Sequence, residues 1–86
     1  PQSCRLWRIK GWVHYENKDY SLASKAFAEA SSLDHKDINS LFLHGLCACR
    51  AGDRNSAKKA LEKVACHDRY KARALGLIHE MEEENI

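Results

Sequence analysis

Four cysteines are the residues best suited to metal or redox chemistry in this chain: Cys4, Cys47, Cys49 and Cys66. Structural zinc sites use closely spaced cysteine pairs that recur at a second point in the chain. Cys47 and Cys49 are two residues apart, so on a helix their thiols point to different faces, and Cys66 and the adjacent His67 diverge in the same way. We therefore expect small apolar packing residues with free thiols, no metal and no other cofactor. Disulfides are the alternative for a secreted protein.

The five histidines do not suggest an enzyme. No histidine has an evident Ser or Cys nucleophile with an acidic partner in the sequence, and no glycine-rich phosphate loop or nucleophile elbow is present. We predict a protein without catalytic activity. The histidines are His14, His35, His44, His67 and His79.

Length and composition indicate one folded domain. The chain has 86 residues, a net charge of +2 and 44% hydrophobic residues, which is too apolar and too evenly charged for disorder. The longest apolar runs, 45–49 and 74–78, are far shorter than the about 20 residues of a membrane helix. Arg5 and Arg8 stand where a signal peptide would be apolar. Because the chain opens at Pro1, we expect a domain of a larger intracellular protein, in the cytoplasm or nucleus.

Helical periodicity runs through the chain, for example at Leu6, Ile9 and Val13. The only proline is Pro1, so nothing interrupts helices further on. The pattern predicts helices over 4–17, 20–32, 38–51, 54–66 and 69–85. The predicted helix starts lie at or near aspartates, which accept free backbone N–H groups, and Gly52 follows the third helix as a left-handed cap. These aspartates are Asp19, Asp37, Asp53 and Asp68.

A shift of 34 residues aligns similar side chains. Gly11 falls on Gly45, Asp19 on Asp53, Ala23 on Ala57 and Phe27 on Leu61. Glycine costs about 1 kcal/mol relative to alanine inside a helix, so two glycines at this spacing indicate a packing demand. We predict that the small residues let the two helices of each hairpin approach closely, with large residues filling the space between. One helical pair cannot bury its own apolar face, so successive pairs are expected to stack.

These positions resemble the tetratricopeptide repeat. The first repeat reads Trp7-x2-Lys10-Gly11-x2-His14 and then Ala23-x3-Phe27, and the second reads Leu41-x2-His44-Gly45-x2-Ala48 and then Ala57-x3-Leu61. The resemblance implies an all-α helical-hairpin repeat, or α-solenoid, as a single domain over 1–86. Its two repeats would cover about 4–37 and 38–71, and a C-terminal capping helix would cover about 69–85.

The resemblance also implies a function. In such arrays the first helix of each pair lines a concave groove, which predicts a protein-protein interaction module within a scaffold or adaptor. Aromatic and arginine side chains dominate interfaces, so we expect a partner peptide with apolar anchors and some acidic character. The alternative is that Trp12 and Phe42 belong to the core or are covered by other helices. The predicted partner-binding residues are Arg8, Trp12, Tyr15, Phe42, Leu43, Leu46, Arg50, Arg73 and Leu77.

One known subfamily clamps the C-terminal carboxylates of chaperones with lysines, asparagines and an arginine. At the corresponding places this chain has Arg8, Trp12, Leu43, Arg73 and Leu77. A carboxylate needs several convergent donors to offset its desolvation. We therefore expect no chaperone clamp.

Two charged segments suggest other partners. The basic stretch 50–73 favours, as the alternative function, a helical repeat that binds single-stranded RNA. The acidic segment 80–84 suggests either a soluble cap or head-to-tail self-association through the last helix, and we favour the cap.

Overall fold

The computed structural model describes residues 4–84, and within that range every regular element is an α-helix. The helices are α1 (Cys4–Glu16), α2 (Tyr20–Leu33), α3 (Ile38–Ala51), α4 (Arg54–Val64) and α5 (Asp68–Glu84). The predicted all-α class and five helices are confirmed. The largest difference is at α4, which ends two residues before the predicted 66 because Cys66 and His67 form a tight turn on Lys63 and Val64.

Aspartate side chains cap two of the helix starts as predicted. The backbone N–H of Ser40 donates to Asp37 Oδ1 (3.1 Å), and that of Ser56 donates to Asp53 Oδ1 (3.3 Å). Asp19 also precedes a helix, but its side chain makes no capping hydrogen bond. These bonds satisfy N–H groups that a helix leaves unpaired at its first turn.

Consecutive helices pack against each other along the chain, and α5 also returns to α3. One cluster of buried side chains lies between α2 and α3 and contains Phe27, Leu43 and Cys47. A second cluster joins α3, α4 and α5 around Leu61 and Met81. The core is therefore divided into two parts that meet at α3.

Two helical glycines, Gly11 and Gly45, lie directly against a large side chain of the neighbouring helix. A Cβ on Gly11 would be 2.8 Å from the Phe27 ring, and a Cβ on Gly45 would be 2.9 Å from the Leu61 side chain. The predicted role of the small residues is confirmed. The same glycine-to-large-residue contact thus occurs twice, 34 residues apart.

The turns after α1 and α3 also correspond at this spacing. Lys18 and Gly52 both have left-handed backbones, with φ of 64° and 87°. The N–H of Lys18 donates to Tyr15 O (3.0 Å), and the N–H of Gly52 donates to Cys49 O (3.2 Å). Lysine tolerates a positive φ less well than glycine. Because Lys18 adopts it nevertheless, the connection between the two helices, and not the residue type, determines the conformation of this turn.

One face of α1 differs from its counterpart on α3. Leu43 and Cys47 are 7% and 0% exposed because they pack on α2. Ile9 and Val13, which precede them by 34 residues, are 51% and 53% exposed. Leu6 adds a third exposed apolar side chain to α1. We call Leu6, Ile9 and Val13 the α1 stripe.

None of the described helices has the length and hydropathy needed to cross a bilayer.

Candidate partner-binding site

Trp12 presents the largest accessible aromatic surface among the predicted binding residues. Its side chain is 43% exposed, although its ring makes edge contacts with Tyr15 (centroids 5.5 Å apart) and Phe27 (5.7 Å). These contacts position the ring while part of it stays accessible. Such an ordered, half-exposed tryptophan can bury further apolar surface against a partner without losing much side-chain entropy.

Half-buried apolar residues continue from Trp12 across α3 to α5. Tyr15 and Leu46 both pack against the cluster of Phe27, Leu43 and Cys47. Leu46 also packs against the second cluster, as does Leu77. We call the partly accessible apolar residues on these three helices the groove face: Trp12, Tyr15, Leu46 and Leu77.

Two predicted binding residues lie in the core instead. Phe42 and Leu43 are each 7% exposed. The Phe42 ring stacks on Tyr70, with centroids 5.1 Å apart, and the Tyr70 hydroxyl donates to Asn39 Oδ1 (2.9 Å). Phe42 therefore holds α5 against α3, and the alternative that it is a core residue describes it better than a groove position.

The predicted arginines have different surroundings. The guanidinium of Arg8 lies 3.6 Å from the Asp37 carboxylate, so Arg8 links α1 to the start of α3. Arg50 is exposed and lies over the Tyr20 ring, 5.8 Å from its centroid. Arg73 is exposed on α5. Arg50 and Arg73 can therefore reach a partner more readily than Arg8 can.

Asp37 is the centre of a polar network that joins the starts of α1 and α3. Its side chain is only 7% exposed and accepts from Ser40 Oγ (2.6 Å) and Cys4 Sγ (3.4 Å), besides the Ser40 N–H. Burial alone would raise the pKa of Asp37, but the hydrogen bonds and the charge of Arg8 outweigh it, so the pKa lies below its usual value. Asp37 is a buried structural anion.

The surroundings of Cys47 and His44 are those of structural side chains. Burial raises the pKa of Cys47 to about 11, which disfavours the nucleophilic thiolate. His44 Nδ1 lies 2.9 Å from Ser24 Oγ and 3.0 Å from Ser24 O, and Ser24 Oγ lies 3.3 Å from His44 O. Burial lowers the pKa of His44, so it is a neutral residue that links α2 and α3. Within residues 4–84, no three His, Cys, Asp or Glu side chains are placed to hold a metal ion.

The basic side chains of 50–73 point to several surfaces. Lys59 and Lys63 line a cavity beside α2. Lys58 lines a different cavity together with Glu82 of α5, and Arg69 lines a third one near the start of α3. The first and third of these cavities share Asp37, Ile38 and His67, whereas the cavity of Lys58 shares no lining residue with either.

The last helix has one apolar and one charged side. Ala74 and Met81 are buried in the second cluster, whereas Glu80 and Glu82 are exposed. On the same charged side, His79 Nε2 lies 2.8 Å from Glu83 Oε1. Glu80, Glu82 and Glu83 thus face solvent.

Sequence reasoning missed the α1 stripe as accessible surface. Its residues have the spacing of an ordinary buried helix face, so composition alone does not distinguish them. The α3 counterparts of Ile9 and Val13 are Leu43 and Cys47, which α2 covers. No described helix covers Ile9 and Val13 on α1 in the same way.

Comparisons of this chain with protein-family models, with curated proteins and with solved structures find no match.

Proposed function

We propose that this chain is a tetratricopeptide-like helical-repeat module that binds a segment of a partner protein along the groove face. The observation that carries the proposal is Trp12, a half-exposed ring held by Tyr15 and Phe27 in a domain where Leu46 of α3 and Leu77 of α5 are also partly accessible. Tryptophan, tyrosine and arginine are the residues that contribute most to binding energy in protein interfaces.

Repeated contacts support the helical-repeat part of the proposal. Gly11 with Phe27 and Gly45 with Leu61 form equivalent close approaches, and the turns at Lys18 and Gly52 have the same handedness. If two hairpins stack, residues at the repeat spacing should make equivalent contacts, as these glycines and turns do. In this proposal α5 is the cap, with its apolar side on the array and its acidic side in water.

The partner is a segment with apolar anchors and acidic flanks. Trp12, Leu46 and Leu77 supply apolar contacts, while the exposed Arg50 and Arg73 favour carboxylates. A C-terminal carboxylate clamp does not fit, because Leu43 is buried and Arg8 is already paired with Asp37. The module would serve a larger intracellular scaffold or adaptor by binding rather than by catalysis.

The test is affinity capture from cell lysate with the wild-type domain and the Trp12→Ala and Leu75→Ala variants, followed by mass spectrometry and RNA quantification. Leu75 is the matched control because it is 48% exposed but lies on the opposite side of α5 from Leu77. We expect proteins that the wild type and Leu75→Ala retain and that Trp12→Ala loses. Enriched RNA, or equal capture by all three proteins, would contradict the proposal.

A further inference from the structure

A cavity of about 580 Å³ opens between α2 and α4, away from the groove face. Small side chains create it, since α2 contributes Ala28, Ser31 and Ser32 where larger residues would fill the space. Ile38 and Leu41 of α3 form the apolar part of its wall. The volume lies within the range of small-molecule sites, about 300–1,000 Å³.

Lysine and histidine side chains from four parts of the chain line this cavity. Lys59 and Lys63 lie one helical turn apart on α4, so their ammonium groups share one side of it. His44 comes from α3, and His35 and His67 come from the two loops that precede α3 and α5. The charges of Asp53 and Lys63 act on His44 in opposite directions, and that of Asp53 acts more strongly.

Negative charge inside the cavity is already neutralised. Asp37 is the only carboxylate among the lining residues, and its oxygens accept from Ser40 and Cys4 and face Arg8. Its side chain is 7% exposed, so it is poorly placed to pair with Lys59 or Lys63. The two lysines therefore leave the lining with an excess of positive charge.

The basic surface extends beyond this cavity. A neighbouring cavity of about 270 Å³ shares Asp37, Ile38 and His67 with it and adds Lys36 and Arg69. A ligand at the shared boundary would thus meet cationic groups on both sides. Ser56 adds a hydroxyl group to the larger cavity, whereas the hydroxyl of Ser31, which also lines it, already donates to Ala28 O (3.0 Å).

We propose that the cavity between α2 and α4 binds a small soluble organic anion that carries phosphate groups. Its phosphates would lie against Lys59 and Lys63, with hydroxyl and imidazole donors around them, and its carbon skeleton would rest on Ile38 and Leu41. Convergent charged donors are what offsets the desolvation of such an anion. The site uses none of the groove-face residues, so it is independent of partner binding.

Pyrophosphate is the probe for the phosphate end, measured by isothermal titration and by ¹H–¹⁵N chemical shifts at constant ionic strength. The test variant is Lys59→Gln/Lys63→Gln. The control variant, Lys58→Gln/Lys71→Gln, changes net charge equally but alters no residue that lines the cavity. We expect the test variant to bind about ten-fold or more weakly, as for the loss of a charge-assisted hydrogen bond, and the control to bind like the wild type.

A third variant fills the space without changing charge. Ser31→Leu places a larger side chain on the α2 wall, and we expect it to weaken pyrophosphate binding while the helical circular-dichroism spectrum is retained. Equal weakening in both lysine variants would show unspecific attraction, and absence of binding to the wild type would show that there is no site. Either result overturns the proposal, as would single-stranded RNA that binds more tightly than pyrophosphate and depends equally on both lysine pairs.

Discussion

Leu61 packs directly onto the backbone of Gly45, so that a Cβ at Gly45 would lie 2.9 Å from both Leu61 Cγ and Leu61 Cδ2. Phe27 has the same relationship to Gly11. Each contact joins the two helices of one hairpin and depends on the absence of a side chain. The stability of the domain should therefore be very sensitive to any added volume at these glycines.

Alanine at a helical glycine raises helix propensity but also adds a Cβ, and a comparison of Gly45 with Gly76 should separate these two effects on stability. Gly76 is also inside a helix, but a Cβ there would meet nothing within 4 Å, so Gly76→Ala should stabilise the protein by about 0.5–1 kcal/mol. Gly45→Ala should destabilise it despite the same gain in helix propensity, and Gly45→Leu should unfold it through overpacking. Urea denaturation of the three variants measures this. Equal stabilisation by both alanine substitutions would refute the contact.

The α1 stripe and its counterpart on α3 should respond differently to truncation. Leu43→Ala leaves a cavity in the core and should cost about 2–5 kcal/mol. Ile9→Ala, 34 residues earlier, removes a half-exposed side chain and should cost less than about 1 kcal/mol. Thermal melts followed by circular dichroism provide the comparison. Similar losses of stability would mean that Ile9 is covered in solution.

Asp37 should make the domain sensitive to acid. Because the folded-state pKa is lower than the ordinary value of 3.8, the carboxylate contributes stability above that value, and this contribution is lost as the pH falls through the folded-state pKa. Asp37→Asn should therefore lower stability at pH 6 and flatten its dependence on pH below 4. Urea melts from pH 6 to about pH 3 measure the slope. The control is Asp53→Asn, because Asp53 is an exposed cap.

Thiol reactivity should separate two of the cysteines. Cys66 is exposed, whereas Cys47 is fully buried and its pKa is raised to about 11. At pH 8 an alkylating reagent should therefore label Cys66 quickly and Cys47 only after unfolding. Mass spectrometry of peptides from the labelled protein distinguishes the sites. Rapid labelling of Cys47 in the folded state would contradict its place between α2 and α3.

The helix boundaries and the glycine contacts could be predicted because the residues that determine them are neighbours in the chain or recur at a fixed spacing. Aspartates and Gly52 mark the helix boundaries directly in the chain. The close approach of Gly11 to Phe27 was also predictable, since the 34-residue spacing repeats both members of the pair. Residues three or four apart share a helix face whatever the tertiary structure.

Burial of particular residues could not be predicted in the same way. Phe42 and Trp12 are both aromatic and occupy similar helical faces, yet Tyr70 covers Phe42 while Trp12 stays 43% exposed. The cavity between α2 and α4 depends on missing volume from two helices that are not adjacent in sequence. Such features depend on which neighbour covers a face, and helical periodicity does not encode that neighbour.

The affinity of the captured partner segment for the Trp12→Ala and Leu75→Ala variants tests the central claim most directly. Isothermal titration should show that Trp12→Ala weakens binding by about 30-fold or more, as expected for a hot-spot residue, while Leu75→Ala stays close to the wild type. Both variants should keep the helical circular-dichroism spectrum. If Trp12→Ala binds as tightly as the wild type, or unfolds the domain, the groove face is not the binding surface.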